Sequence, residues 1–286
     1  MFKILKKTFD TGLVTIGYPD VPARISSRFR GAPRFNFDSW PDPRPAAEAC
    51  PTGSLSVQES GSTRQVTMDY GLCIYCGECS RADKTGAVEM SREFELAVRD
   101  RRDLVVTAEY ELDAGGTQHE LVRLHRGSRQ DGTDVDVLGR RVQRAIHKTL
   151  GRALAIREVD AGSCNGCEVE ITALNNPVYD LERFGIHFVA SPRHADMLLV
   201  TGVVTRNMEL ALLKTYRATP EPKVVAVVGA CGISGGIFER NYATVGCVDE
   251  VVPVDVYIPG CPPRPQALLH GILLAVGRIA QKAVPE

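Results

Sequence analysis

The sequence predicts two folded units of different construction: a cysteine-bearing unit of short strands and turns in residues 1–110, and an α/β unit with a parallel sheet in residues 135–286. Three observations carry this reading. The nine cysteines fall at 50, 73, 76, 79, 164, 167, 231, 247 and 261, leaving a long cysteine-free stretch between two groups. Beyond residue 155, strand-like runs at 197–200, 223–228 and 250–256 alternate with helix-like segments at 207–217 and 265–279, the pattern of parallel strands joined by crossovers. Between the two groups, residues 111–134 (ELDAGGTQHELVRLHRGSRQDGTD) are polar and glycine-containing and read as a linker.

Taken in order, the chain opens on a basic amphipathic segment. Phe2, Ile4, Leu5, Phe9 and Leu13 form an apolar face beside Lys3, Lys6 and Lys7, which suits packing on protein or contact with a membrane surface. Residues 33–51 are proline-rich and are expected to be extended or turn-like. Residues 50–110 read as short strands and turns around cysteines. After the linker, Val135, Leu138, Val142, Ile146 and Leu150 recur at helical spacing, with Arg140, Arg141, Arg144, Lys148 and Arg152 on the same segment, giving an amphipathic helix with a basic face. The later cysteines follow apolar runs or precede helices, where loops gather at the carboxyl edge of a parallel sheet and ligands bind.

Composition narrows the class. A chain of 286 residues can bury the cores of two ordinary domains, and 44% apolar with 24% charged residues is a globular profile. The formal charge of −1 gives no electrostatic reason to expect a nucleic-acid partner. The start, MFKILKKTFDTG, lacks the apolar core and cleavage site of a signal peptide, and no apolar run reaches transmembrane length. Clustered cysteines without an export signal point to metal or redox chemistry rather than to a disulfide framework.

Residues 73–79 read CIYCGEC, and Cys50 lies upstream, followed by Pro51. In two-cluster bacterial ferredoxins a C-x₂-C-x₂-C run is completed by a distant Cys that precedes a proline. Cys50, Cys73, Cys76 and Cys79 are therefore the expected ligands of one [4Fe–4S] cluster. The other cluster of that pattern would use positions 40, 43, 46 and 83, which here hold Trp40, Pro43, Ala46 and Asp83. All four ligands are absent together, as expected if a whole cluster has been lost.

Residues 162–170 read GSCNGCEVE and supply Cys164 and Cys167. The remaining thiolates are expected from Cys231 in VVGACGISGG, where glycines let backbone approach a bulky ligand, and from Cys261 in YIPGCPPRP, a rigid turn. Cys247 has no special turn chemistry around it and is expected to be a small buried apolar residue. Spacing alone leaves zinc open at this second site.

The stretches DAGSCNGCEVE, RFGIHFVASPRHADMLLVTGVVTRNM, VVGACGISGG and VPVDVYIPGCPPRP resemble the small electron-transfer subunit shared by respiratory complex I (its 20 kDa subunit) and membrane-bound [NiFe] hydrogenases. The resemblance spans residues 156–271 and implies a flavodoxin-like parallel sheet, with cluster ligands at Cys164, Cys167, Cys231 and Cys261. The complex I branch carries two adjacent cysteines at the first position. The Cys164-Asn-Gly-Cys167 spacing here resembles hydrogenase small subunits instead, of the group 4 type found in formate hydrogenlyase and energy-converting enzymes. TGLVTIGYPDVPARISSRFRGAP, ACPTGSLSV, DYGLCIYCGEC and SREFELA resemble the ferredoxin-like iron–sulfur subunit of the same complexes, implying an α+β domain fused at the amino terminus.

The resemblances imply an electron relay through two [4Fe–4S] clusters, without bond chemistry of its own. The implied partners are a large catalytic subunit of a hydrogenase or complex-I-like enzyme, integral membrane subunits and a further redox partner. The implied location is peripheral, on the cytoplasmic side of the inner membrane. Glu168 and Glu170 follow the second cysteine and suit either a proton relay or the acidic start of a helix. Arg193 and His194 match the family, whereas His187 reads as structural. Gly235 and Gly236 resemble a phosphate loop only weakly, since the Lys-Ser/Thr that would follow is missing. Competing readings are a nickel-free quinone-reducing relative, a zinc-stabilised interaction scaffold, and a dithiol oxidoreductase using Cys164 and Cys167.

Overall fold

The computed structural model of the chain describes residues 2–113, 118–127, 153–238 and 240–285. The amino-terminal half opens on α1 (Phe2–Thr11), which has no buried residue. Phe2, Ile4, Leu5 and Phe9 of α1 are exposed, as is Leu13 beyond it. The cysteine-bearing part then runs β1 (Pro33–Phe35), α2 (Arg44–Glu48), the hairpin β2 (Leu55–Ser60) and β3 (Thr63–Asp69), α3 (Glu78–Ala82) and β4 (Val88–Met90). β4 returns to pair antiparallel with β1. This strand–helix–hairpin–helix–strand order is the ferredoxin-like α+β arrangement that the resemblance to the iron–sulfur subunit implied.

Two further strands enlarge the hairpin. β5 (Val105–Leu112) pairs with β3, and β6 (Gln118–Arg126) pairs with β5, giving an antiparallel sheet in the order β2-β3-β5-β6. The expected linker over 111–134 is therefore corrected: residues 111–112 end one strand and 118–126 form another. Leu121 and Leu124 pack partly buried against the core, so these apolar residues were a strand signal hidden among charges. Residues 114–117 and 128–134, and the helix expected from Val135 to Leu150, lie outside the described residues.

The second half contains β7 (Leu154–Asp160), α4 (Gly166–Ala173), β8 (Ile186–Phe188), β9 (Met197–Thr201), β10 (Val204–Thr205), α5 (Arg206–Ala218), β11 (Val224–Val228), α6 (Gly229–Ser234), β12 (Thr244–Gly246), β13 (Val256–Ile258) and α7 (Pro265–Ala275). Five strands make one sheet in the order β13-β11-β9-β7-β8, and every pair in it is parallel. Read from β8, the chain order across the sheet is 2-1-3-4-5, the flavodoxin-like order. Two expected boundaries shift. The apolar residues before Val256 belong to a short 3-10 turn and a connection, with the strand starting at Val256, and α7 stops at Ala275, just before Val276 and Gly277.

All residues of β9 and β11 are buried, as a parallel sheet covered on both faces requires. Alternate residues feed two cores. Ile156, Met197, Leu199, Val224 and Ala226 face α7, every residue of which is buried. Leu198, Val200, Val225 and Val227 face the other way, into a core continuous with Phe35, Trp40 and Tyr70 of the first half. The two halves thus share one core. Val98 bridges to Tyr257 at the edge of β13, with N–H···O distances of 3.0 and 2.8 Å. The carboxyl-terminal tail returns the contact: the Tyr70 hydroxyl donates to Pro285 O at 2.9 Å.

Candidate metal centres

The first quartet is assembled by α2, the loop after β3, and α3. Cys50, Cys73, Cys76 and Cys79 all line one pocket, walled by apolar side chains such as Leu55, Met68 and Ile74. The loop turns tightly between them because Tyr75 and Gly77 take left-handed φ values of 57° and 82°. Cys73 is buried and the other three are half-buried. Burial pushes the Cys73 thiol up to about 12 and the Cys79 thiol up to about 11, and charge on the neighbouring cysteines acts in the same direction. Cys50 differs. Burial raises it too, but the Ser54 hydroxyl and the N–H groups of Leu55 and Thr52 outweigh this and hold the thiol below its ordinary value. Ser54 Oγ lies 3.2 Å from Cys50 Sγ. Donors to sulfur of this kind favour the thiolate that binds metal.

The positions at which the ferredoxin pattern would put further cysteine ligands are filled by packing. Trp40, Pro43 and Ala46 are buried. Trp40 stacks on Phe35 at 5.4 Å between ring centroids and tilts against Phe37 at 6.2 Å. Asp83 stands where the fourth ligand would be and organises a turn: it accepts from Thr85 N, Thr85 Oγ1 and Val88 N.

The second quartet is set by the parallel sheet. Asp160 of β7 stands beside Thr201 of β9, Thr201 beside Val228 of β11, and Val228 beside Ile258 of β13. The carboxyl ends of these strands are therefore flush. Cys164 follows β7, Cys231 lies in α6 immediately after β11, and Cys261 follows β13; Cys167 is in the first turn of α4. The turn into α4 is shaped by Asp160, whose Oδ1 accepts from Gly162 N at 2.8 Å and Ser163 N at 2.7 Å. Cys164 and Cys261 are exposed, and Cys167 and Cys231 half-buried.

Two glycines keep space for sulfur. A Cβ on Gly229 would lie 2.8 Å from Cys167 Sγ, and one on Gly236 would lie 3.1 Å from Cys231 Sγ. Both have left-handed φ, 84° and 55°. Burial pushes the Cys167 thiol well up, with Glu168, Cys231, Cys261 and Cys164 adding to it. Cys231 is pushed up to about 11 by burial and by charge on Cys261 and Cys164. Thiols that raise one another in this way ionise together only if a cation compensates them. Both quartets therefore fit a thiolate-bound metal group. Among the described residues, no three metal-ligating side chains close on a single point as the ligands of one ion would. A cubane distributes its thiolates over four irons and asks for a wider set.

The other expected residues lie as follows. Glu168, in the first turn of α4, has both carboxyl oxygens buried without a hydrogen-bond partner among the described residues. Glu170 is held above the ordinary carboxylate range by burial, against an opposing effect of Arg264. Arg193 and His194 are exposed on a 3-10 turn capped by Ser191, and His187 is half-buried in β8. Cys247 is in neither quartet. It is half-buried rather than buried, and its thiol donates to Glu250 Oε1 at 3.2 Å, so it is not the purely apolar filler expected. Sequence reasoning missed Ser54, whose signal was a hydroxyl four residues after Cys50, and Gly229, whose signal was its place between a strand and Cys231.

Residues 164–275 match the family described as NADH ubiquinone oxidoreductase, 20 kDa subunit. The chain is 51% identical to formate hydrogenlyase subunit 7 of Escherichia coli over 48% of this chain and 54% of that one. It is 50% identical to a probable membrane-bound hydrogenase subunit, mbhJ, of Pyrococcus furiosus, over 47% of this chain and 80% of that one. It is also 49% identical to an NADH-quinone oxidoreductase subunit of Citrifermentans bemidjiense, over 41% of this chain and 68% of that one. It thus spans about half the length of the first of these relatives and most of the second. With four of the five strands of the flavodoxin-like sheet and the cysteines of its carboxyl edge inside the matched region, the chain belongs to the family of the 20 kDa subunit of NADH ubiquinone oxidoreductase.

Proposed function

We propose that this chain is an electron-relay subunit of a membrane-associated oxidoreductase complex. It holds two [4Fe–4S] clusters, one on Cys50, Cys73, Cys76 and Cys79 and one on Cys164, Cys167, Cys231 and Cys261. The observation that carries this reading is the flush carboxyl edge of the sheet, where three strand ends deliver four thiols and glycines leave room for two of their sulfurs. A thiolate-bound cubane supplies one-electron transfer, at a potential set by burial and hydrogen bonds to sulfur. The chain's part is to hold the sulfurs, exclude water from the first quartet and donate to Cys50 from Ser54. Glu168 suits proton handling at the second quartet, because its carboxyl oxygens are buried, next in sequence to Cys167, without a hydrogen-bond partner among the described residues.

The Cys164-Asn-Gly-Cys167 spacing and the two hydrogenase relatives favour a hydrogenase of the formate hydrogenlyase or energy-converting type. The partner is then a large subunit whose nickel–iron site lies beside the second quartet, with integral membrane subunits and a further redox partner. The ferredoxin-like half takes the place of a separate iron–sulfur subunit. No helix among the described residues is long and apolar enough to cross a membrane, and the exposed apolar face of α1 suits peripheral attachment on the cytoplasmic side of the inner membrane. The similarity to the NADH-quinone oxidoreductase subunit favours one second reading, a nickel-free complex-I-like module.

The test is to tag the chain, purify its native complex without oxygen, and measure nickel, iron and zinc per complex. Nickel near one equivalent, with iron above the roughly eight expected from two cubanes, is the expected result. Iron without nickel moves the reading to the quinone-reducing module. Colourless protein with zinc and no iron overturns the relay.

A further inference from the structure

The two quartets share a wall. Ile74, Tyr75 and Cys76 line the pocket of the first quartet and also a second cavity of about 390 Å³ that reaches Cys261. Within this partition Tyr75 stands out. Its backbone has a φ of 57°, a left-handed conformation that costs a non-glycine residue on the order of 1–2 kcal/mol. Its N–H donates to Cys73 Sγ at 3.4 Å, so the strained turn ties the residue to the first quartet. Part of the residue remains accessible, yet its hydroxyl oxygen is buried and has no hydrogen-bond partner among the described residues.

That hydroxyl needs a reason. Burying one without a partner costs about 1–3 kcal/mol, and a phenylalanine would fill the same space without that penalty. Burial pushes the phenol far up, and charge on Cys73, Tyr70 and Cys261 pushes it further. Independently of that shift, Tyr75 lines both the pocket of the first quartet and the cavity that reaches Cys261, so it borders thiols of both quartets. The rest of the space between Cys76 and Cys261 is an open cavity lined by Arg28, Arg30 and Arg264. Electronic coupling falls off more steeply across open or water-filled space than through packed protein atoms, so the cavity is the poorer route.

We propose that Tyr75 couples the two redox sites: its ring is the packed path between the quartets, and its buried hydroxyl, from which no cysteine sulfur accepts, would donate to inorganic sulfide of the cluster held by one of them. This rests on the two-cluster reading given above. In the transfer one site loses an electron and the other gains it. No bond is made or broken, no proton moves, and Tyr75 stays a neutral phenol.

The test uses the native complex, purified without oxygen, carrying the wild-type chain, Tyr75→Phe or Tyr75→Leu. Iron and acid-labile sulfide are counted first, cluster midpoint potentials are then read by redox-poised electron paramagnetic resonance, and inter-cluster equilibration is followed after laser-flash photoreduction. Tyr75→Phe is expected to keep both clusters and the exchange rate while lowering one midpoint potential, because a donor to sulfur stabilises the reduced form. Tyr75→Leu is expected to slow equilibration severalfold with iron retained. Should the leucine variant lose iron, Tyr75→Met, which refills the volume, takes its place. Unchanged equilibration in an iron-replete Leu or Met variant overturns the bridge, and unchanged potentials in the Phe variant overturn the role of the hydroxyl. One cluster rather than two in the wild-type chain overturns the underlying reading instead, and is seen in the iron count before any variant is compared.

Discussion

Gly229→Ala isolates the geometry that builds the second quartet. Two effects are added by one methyl group. A non-glycine residue at φ 84° costs on the order of 1–2 kcal/mol. The new Cβ would also lie 2.8 Å from Cys167 Sγ, well inside the roughly 3.5–4 Å of an ordinary carbon contact. Relieving this overlap moves the sulfur by about 1 Å, whereas metal–ligand distances tolerate only about 0.2 Å. Gly86→Ala separates the two effects, because Gly86 has a φ of 78° and nothing lies within 4 Å of the place a methyl would take there. Both variants are expected to lose a few degrees of thermal stability to backbone strain, Gly229→Ala more because the overlap and the lost cluster add to it. Only Gly229→Ala should fall from roughly eight irons per chain to roughly four, with the spectroscopic signature of the first cluster intact. Metal analysis and electron paramagnetic resonance on anaerobically purified protein decide it. A Gly229→Ala chain with full iron and both signatures would refute the claim that close approach at Gly229 positions Cys167.

Three further outcomes follow from the same structure. Cys247→Ala should leave iron content unchanged, because Cys247 belongs to neither quartet and its contact is with Glu250; loss of one cluster's iron would show that the second quartet is wrongly composed. Trp40→Ala should destabilise the chain by about 3–5 kcal/mol, since Trp40 is only 1% exposed and packs on Phe35 and Phe37; chemical denaturation reads this, and a loss below about 1 kcal/mol contradicts the view that packing replaced a cluster. His270 is buried in α7, and burial lowers its pKa from 6.5 to about 4, with Glu95 opposing and Lys282 adding to the shift. The folded state then binds fewer protons than the unfolded state between these values, so stability is fully present above pH 6.5 and is lost as pH falls towards 4. The loss between pH 7 and 5.5 should be about 1 kcal/mol and should disappear in His270→Leu; an equal acid-side slope in that variant removes His270 as its cause.

The parallel sheet was legible because its strands are covered on both faces. Runs such as 197–200 and 224–228 are uniformly apolar, and nothing but a buried strand suits so short a run between a turn and a helix. The boundary at Val256 was not legible. Val251 and Val252 are as β-prone as the strand that follows, but they enter the core from a 3-10 turn and a connection, and periodicity does not separate the two in a window this short. The strand Gln118–Arg126 was missed for the opposite reason. Its inward residues, among them Leu121 and Leu124, are flanked by His119, Glu120, Arg123, His125 and Arg126, so its composition is that of a linker and its place in the sheet depends on β5.

The candidate sites show the same division. The two groupings of cysteines were readable from spacing and turn chemistry, since Cys50, Cys73, Cys76 and Cys79 line one pocket and Cys164, Cys167, Cys231 and Cys261 lie at strand ends and the helix starts beside them. What spacing does not carry is how the two sets stand to one another. The absent ferredoxin ligands, read as a loss, are positions at which Trp40 and Ala46 extend the core shared with the α/β sheet. Filling that position leaves the first quartet with a single near neighbour of its own kind, the second quartet across Tyr75. A relay that ran through a two-cluster ferredoxin subunit would have another internal step. On the proposed two-cluster reading, the first quartet exchanges electrons directly with an outside partner on its other side, so the half-buried Cys50 and Cys79, which unlike Cys76 do not line the shared cavity, mark the face where that partner approaches.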